Sequence, residues 1–182
     1  MKKLYTYALI SSLIFVSCSK DDDPVAVNEE EVITTMIVTL VPSDASTNVT
    51  LKTQDLDGDG PNAPVVTVSG NLKAFLTYAG SVKFLNETET PAEDITEEVE
   101  EESNDHQVFY TVGSGITMNV VSTNNDSGGN PLGTKFKIDN ISSAGSGKLT
   151  FTLRHKPKKP NTGLADAGGD TDIEATFDIV IE

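Results

Sequence analysis

The chain has 182 residues and sets 13 Lys and Arg against 28 Asp and Glu, a net charge of −15. That is the length of one ordinary domain, and its acidity disfavours nucleic acid, whose binding depends on neutralising phosphates with basic side chains. A single cysteine excludes an internal disulfide, and the absence of tryptophan argues against an aromatic platform for sugars.

The first segment is a secretory signal in form. Lys2 and Lys3 precede an apolar run from Leu4 to Val16, and Ser17 sits just before Cys18. The run of about a dozen residues is too short to span a bilayer, which takes roughly 20. Phe15-Val16-Ser17-Cys18 resembles a lipobox with Phe in place of the usual Leu, which implies cleavage after residue 17 and a lipid on Cys18. Lys20-Asp21-Asp22 resembles the lipoprotein export signal of Bacteroidota, which implies the outer face of the outer membrane. Loss of residues 1–17 removes Lys2 and Lys3 and no acid, taking the charge from −15 to −17. Residues 18–30 are polar, acidic and aperiodic, and are read as a flexible tether.

From residue 31 onward the pattern is that of short strands separated by turn residues. Strands are expected over Glu31–Val41, Asn48–Thr53 and Val65–Val68, with Asp55–Pro64 as a turn. One or two more are expected over Leu72–Asn86, with a break near Gly80. Thr90-Pro91-Ala92-Glu93 then reads as a capping box with proline at the first helical position, predicting a helix to about Ser103. Seven acids between Glu93 and Glu102 leave only Ala92, Ile95 and Val99 as its apolar stripe. Strands resume over Gln107–Val112, Thr117–Ser122, Thr134–Ile138, Lys148–His155 and Asp172–Ile181. The last two alternate cleanly. Leu149, Phe151, Leu153 and His155 share one face; Ile173, Ala175, Phe177, Ile179 and Ile181 share another, opposite Asp172, Glu174 and Asp178. Clean alternation means one face in a core and one in water. The expected fold is therefore all-β: an antiparallel β-sandwich (Ig-like or Greek-key) over residues 31–182, of eight to ten strands with one short acidic helix. A barrel is the alternative.

The mature segment resembles a family of small Bacteroidota lipoproteins. The shared stretches are Gln54–Gly60, Leu85–Pro91, Leu153–Pro157 and Gly169–Ile173. Members sometimes carry the label "type 1 periplasmic binding fold". The resemblance implies an accessory lipoprotein working with a TonB-dependent outer-membrane receptor.

Two constellations suggest metal chemistry. His106 shares parity with Val108, Tyr110 and Val112, and His155 with Leu149, Phe151 and Leu153, so both fall on the inward side of strand ends. Imidazole with carboxylate companions suits zinc or another divalent transition metal. Glu98, Glu102 and Asp105 are the companions nearest in sequence. The bland alternative is a pair of rim histidines. Asp55, Asp57 and Asp59, with Gly58 and Gly60 between and after them, resemble the start of a calcium loop. Position twelve of that pattern is Val66, which excludes an EF-hand and leaves a weaker calcium site or a plain hairpin turn. The run Glu93–Glu102 is a docking surface or simply a solvated face. Lys156-Pro157-Lys158-Lys159-Pro160 reads as an extended exposed loop, able to meet the acidic helix or lipid phosphates. No nucleophile elbow, HExxH motif, phosphate-binding loop or dinucleotide fingerprint occurs.

The sequence thus predicts a lipid-anchored, surface-exposed protein of the outer membrane that is not an enzyme. It would capture a ligand, a divalent metal fitting best, for a receptor. An adhesive or structural module without a small-molecule ligand is the alternative, and no nucleic-acid partner is expected.

Overall fold

The computed structural model describes residues 31–58 and 60–182. Cys18, Lys20, Asp21, Asp22 and Asp59, to which the lipid, export and part of the calcium reading attach, lie outside the described residues. Among the described residues no helix is long and apolar enough to cross a membrane.

Two antiparallel sheets face each other. The larger comprises β1 (Thr35–Pro42), β2 (Val49–Gln54), β3 (Val65–Val68), β4 (Tyr78–Asn86), the two-residue β5 (Glu93–Asp94), β7 (Asn119–Ser122) and β8 (Lys135–Asp139). Its order is β3-β2-β1-β4-β8-β7, with β5 pairing β4. The smaller has the order β10-β9-β6, from β6 (His106–Val112), β9 (Gly145–His155) and β10 (Asp170–Ile181). This is the all-β sandwich the alternation predicts, and not the alternating strand–helix layout that a periplasmic-binding label would entail.

The core lies between the sheets and is built from the alternate positions of each strand. Met36, Val38 and Leu40 of β1 and Val82 and Phe84 of β4 face Leu149, Phe151 and Leu153 of β9 and Phe177 and Ile179 of β10, all buried. Tyr110 bridges the layers, its ring 5.0 Å from Phe136 in one sheet and 5.6 Å from Phe151 in the other. Its hydroxyl donates to the Gly133 carbonyl, and burial pushes its pKa well up.

Four expectations need correction. β4 runs unbroken through Gly80, because the missing side chain is what lets the Phe136 ring lie against the strand: a Cβ there would stand 2.2 Å from that ring. The helix α1 is shorter than expected, Ile95–Glu101, and is capped by Asp94, whose carboxylate accepts from the Thr96 N–H. The residues before it cannot join it, because Glu93 and Asp94 pair with Asn86 and Leu85 of β4. Its buried positions are Ile95 and Val99, as the stripe predicts, while Ala92 is exposed. A second short helix, α2 (Leu164–Ala167), follows β9. Finally, the basic loop is not wholly exposed. Lys159 turns inward and donates to the carbonyls of Ser103 (2.7 Å) and His106 (2.6 Å), with Asp126 Oδ2 at 3.1 Å. The Lys159 and Asp126 side chains are only 7% and 1% exposed, so the lysine clamps the α1–β6 junction from inside.

Candidate metal centre

The starts of β1, β6 and β10 and the end of β9 meet at one end of the sandwich. β6 and β9 are antiparallel partners, and their register sets His106 directly opposite His155. The two rings stack with centroids 4.9 Å apart and planes 21° from parallel. Both are buried, as their shared parity with apolar neighbours predicts.

Two carboxylates close on them. Asp172 comes from β10, where the pairing with β9 steps from Thr171 opposite Arg154 directly to Ile173 opposite Leu153. Asp172 is the extra residue of a β-bulge, a device that re-aims a side chain. Simple alternation puts it on the watery face; the bulge sends it inward, and its side chain is 3% exposed. The chain reaches this position through Gly168 and Gly169, both at positive φ, and a Cβ on Gly169 would stand 2.3 Å from the His155 carbonyl oxygen. The second carboxylate is Glu31, just before β1, whose side chain is likewise 3% exposed.

The distances tie the four together. His106 Nε2 lies 3.1 Å from Glu31 Oε1. His155 Nδ1 lies 4.0 Å from Glu31 Oε2 and 3.8 Å from Asp172 Oδ1. One ligand atom from each residue falls within 4.8 Å of every other, an arrangement that could hold a metal ion. Among the described residues this is the one such group of three or more.

The tautomer of His106 is set from behind. Its Nδ1 is 3.2 Å from the Glu102 carbonyl, which can only accept, so Nδ1 carries the proton. In the neutral ring Nε2 is then a bare lone pair, and it faces a carboxylate oxygen at 3.1 Å. Neither Nε2 nor Glu31 Oε2 makes a hydrogen bond among the described residues. Two buried acceptors at contact distance require a proton or a cation between them. A carbonyl that orients a histidine through its far nitrogen is also the usual support of a metal-binding imidazole.

The companions expected from sequence lie elsewhere. Glu102 contributes its backbone carbonyl, not its carboxylate, and the Asp105 carbonyl accepts from the Lys156 N–H at 2.6 Å. Glu98 is exposed on α1 but close enough to feel the cluster. Its carboxyl is pushed up, first by partial burial and then by the charges of Glu31, Glu102 and Glu93, against a downward pull from His106. The carboxylates that do join come from 75 residues before His106 and 17 after His155 in the sequence, beyond the reach of any local motif.

The aspartate loop joins β2 to β3 as a hairpin. Asp55 Oδ1 accepts from the N–H groups of Asp57 (3.3 Å) and Gly58 (3.0 Å), and Asp57 Oδ2 accepts from the Asn62 side chain at 2.7 Å. The Asn62 side chain is the main reason the Asp57 carboxyl is held below its usual range. Both described aspartates serve the turn itself.

No family model matches the chain, and neither a curated protein nor a solved structure matches it.

Proposed function

We propose that this chain is a lipid-anchored outer-membrane surface protein whose β-sandwich binds one divalent transition metal, zinc by preference, through Glu31, His106, His155 and Asp172. It acts as a non-enzymatic capture or accessory protein for a TonB-dependent receptor. The observation that carries the metal reading is His106: its proton is committed to the Glu102 carbonyl, and its free nitrogen faces Glu31 at 3.1 Å. Two neutral imidazoles and two carboxylates sum to −2, which a dication neutralises without any of the four taking up a proton. That donor set suits zinc. Tetrahedral ligation at about 2.0–2.2 Å puts neighbouring donor atoms about 3.3–3.6 Å apart; the four donors here all lie within 4.8 Å of one another, so binding would draw them inward. Four protein donors leave no open position for a substrate, which supports binding over catalysis. The anchorage and the surface address rest on Phe15–Cys18 and Lys20–Asp22, and the acidic surface raises the local concentration of cations.

Native mass spectrometry of the purified chain, offered zinc, copper, iron and calcium in turn, tests the reading. A stoichiometric transition-metal adduct that disappears in the His106→Ala/His155→Ala variant is expected; no adduct, or one indifferent to both histidines, would overturn it. Surface proteolysis of intact cells tests the address.

The burial of all four side chains favours a second reading, in which the ion is a permanent brace of an adhesive or structural module. Calcium at Asp55, Asp57 and Asp59 would then only stiffen the hairpin. Exchange against a chelator separates the two: capture requires release within minutes, a brace holds its ion for days.

A further inference from the structure

Three of the four donors stand on hydrogen-bonded strands: His106 on β6, His155 on β9 and Asp172 in the β10 bulge. Glu31 does not. It precedes β1, and the backbone ladder takes hold only at Thr34, whose N–H donates to the Leu85 carbonyl at 3.0 Å and whose carbonyl accepts from the Asp55 N–H at 2.8 Å. Between Thr34 and Glu31 lie only Val32, 58% exposed, and Ile33, half-buried against the edge of the core, which opening must release. The short segment that carries Glu31 is also a wall of a groove of about 570 Å³, lined further by Asp172 and by the β2–β3 hairpin. The groove therefore meets the cluster at Asp172. Among the described residues its carboxylates are Asp55, Asp57, Asp172 and Glu174, and no lysine or arginine lines it.

Resting on the metal reading above, we propose that this groove is the cation's route into and out of the cluster, and that Glu31 is the closing ligand. His106, His155 and Asp172 form a fixed three-donor cradle. Residues 31–33 swing about Thr34 to bring the fourth donor in. Local opening of a short stretch outside the strand ladder costs far less than unfolding a strand. The acidic groove favours cations and repels anionic chelates on the way in.

The test compares two variants that each remove one carboxylate ligand, Glu31→Gln and Asp172→Asn, in the purified chain. Stopped-flow zinc association and release are measured together with amide hydrogen exchange at residues 32–34. Either loss should speed release by at least about tenfold, since losing even a partner that only supports a ligand costs that much. Only Glu31→Gln should also speed association, because the route then stands open. Zinc should slow exchange at residues 32–34 in the wild-type chain and not in Glu31→Gln. If zinc binds the wild type but Glu31→Gln leaves association unchanged and zinc leaves exchange at 32–34 unchanged, the closing-ligand role is wrong and the metal site stands. If zinc does not bind the wild type, the site reading falls and this role falls with it.

Discussion

His106 and His155 are direct cross-strand partners, and their buried rings stack at 4.9 Å over a carboxylate that reaches one nitrogen of each. Glu31 thus links the two rings. Replacing both histidines by glutamine keeps the side-chain volume and removes the ligands. The expected outcome is loss of zinc binding in calorimetry, with far-UV circular dichroism unchanged. Retained affinity would place the metal elsewhere.

Asp172 offers a cleaner separation of site from scaffold. Deleting it should let Thr171 and Ile173 pair consecutively with Arg154 and Leu153, as they already do on either side of the bulge. The shortened chain should fold, and should lose zinc affinity by at least about tenfold. A deletion variant that binds as the wild type does would show that the bulge serves some other purpose.

Asp55, Asp57 and Glu174 line the groove without belonging to the cluster. Their triple Asp/Glu→Asn/Gln variant should bind zinc at nearly the wild-type equilibrium affinity but associate more slowly. The difference should shrink as salt screens the groove, over a Debye length of about 10 Å at 0.1 M. Stopped-flow association at low and high ionic strength reads this directly.

The Lys159–Asp126 pair behaves differently because it is closed off from water. Lys159→Met should destabilise the fold by about 3–5 kcal/mol in guanidinium titration, since it strands a buried carboxylate and two carbonyls. Burial pushes the Asp126 carboxyl up, but the Asn130 amide and Lys159 outweigh it and hold it below its ordinary value of 3.8. A carboxyl held low in the folded state contributes stability above its unfolded pKa, and that contribution fades as pH falls through 3.8 toward the folded value. The acid limb of the stability curve should therefore flatten in Asp126→Asn.

Gly80→Ala should cost about 1–3 kcal/mol, because the new methyl meets the Phe136 ring inside a packed core. Phe136→Leu in the same chain should restore part of the loss, measured as a shift in the denaturation midpoint.

Much of this architecture is legible in the sequence because strands are local. The alternation of Leu149–His155 and Ile173–Ile181 states which faces are buried and places His155 inward, as parity with Val108 and Tyr110 does for His106. Their meeting is not legible, since register between β6 and β9 is decided by the whole interface and not by either strand. Asp172 is misread by the same alternation that succeeds around it, because one inserted residue reverses the facing of a side chain. Glu31 carries no signal: it sits before a strand, without periodicity, among other acids. Lys159 reads as a solvated charge because its partners, two carbonyls and Asp126, are backbone groups and a residue 33 positions away.

The bulge in β10 separates the cluster's chemistry from the fold's heredity. Ile173, Ala175, Phe177, Ile179 and Ile181 pair with β9 in steady register beyond the bulge, so the loss of Asp172 should leave their places in the core unchanged. One codon gained or lost between Thr171 and Ile173 would switch a donor on or off while leaving the apolar pattern intact. A lineage built on this scaffold could shed or regain its cation chemistry in a single step, and two chains with indistinguishable sandwiches could differ entirely in what they hold.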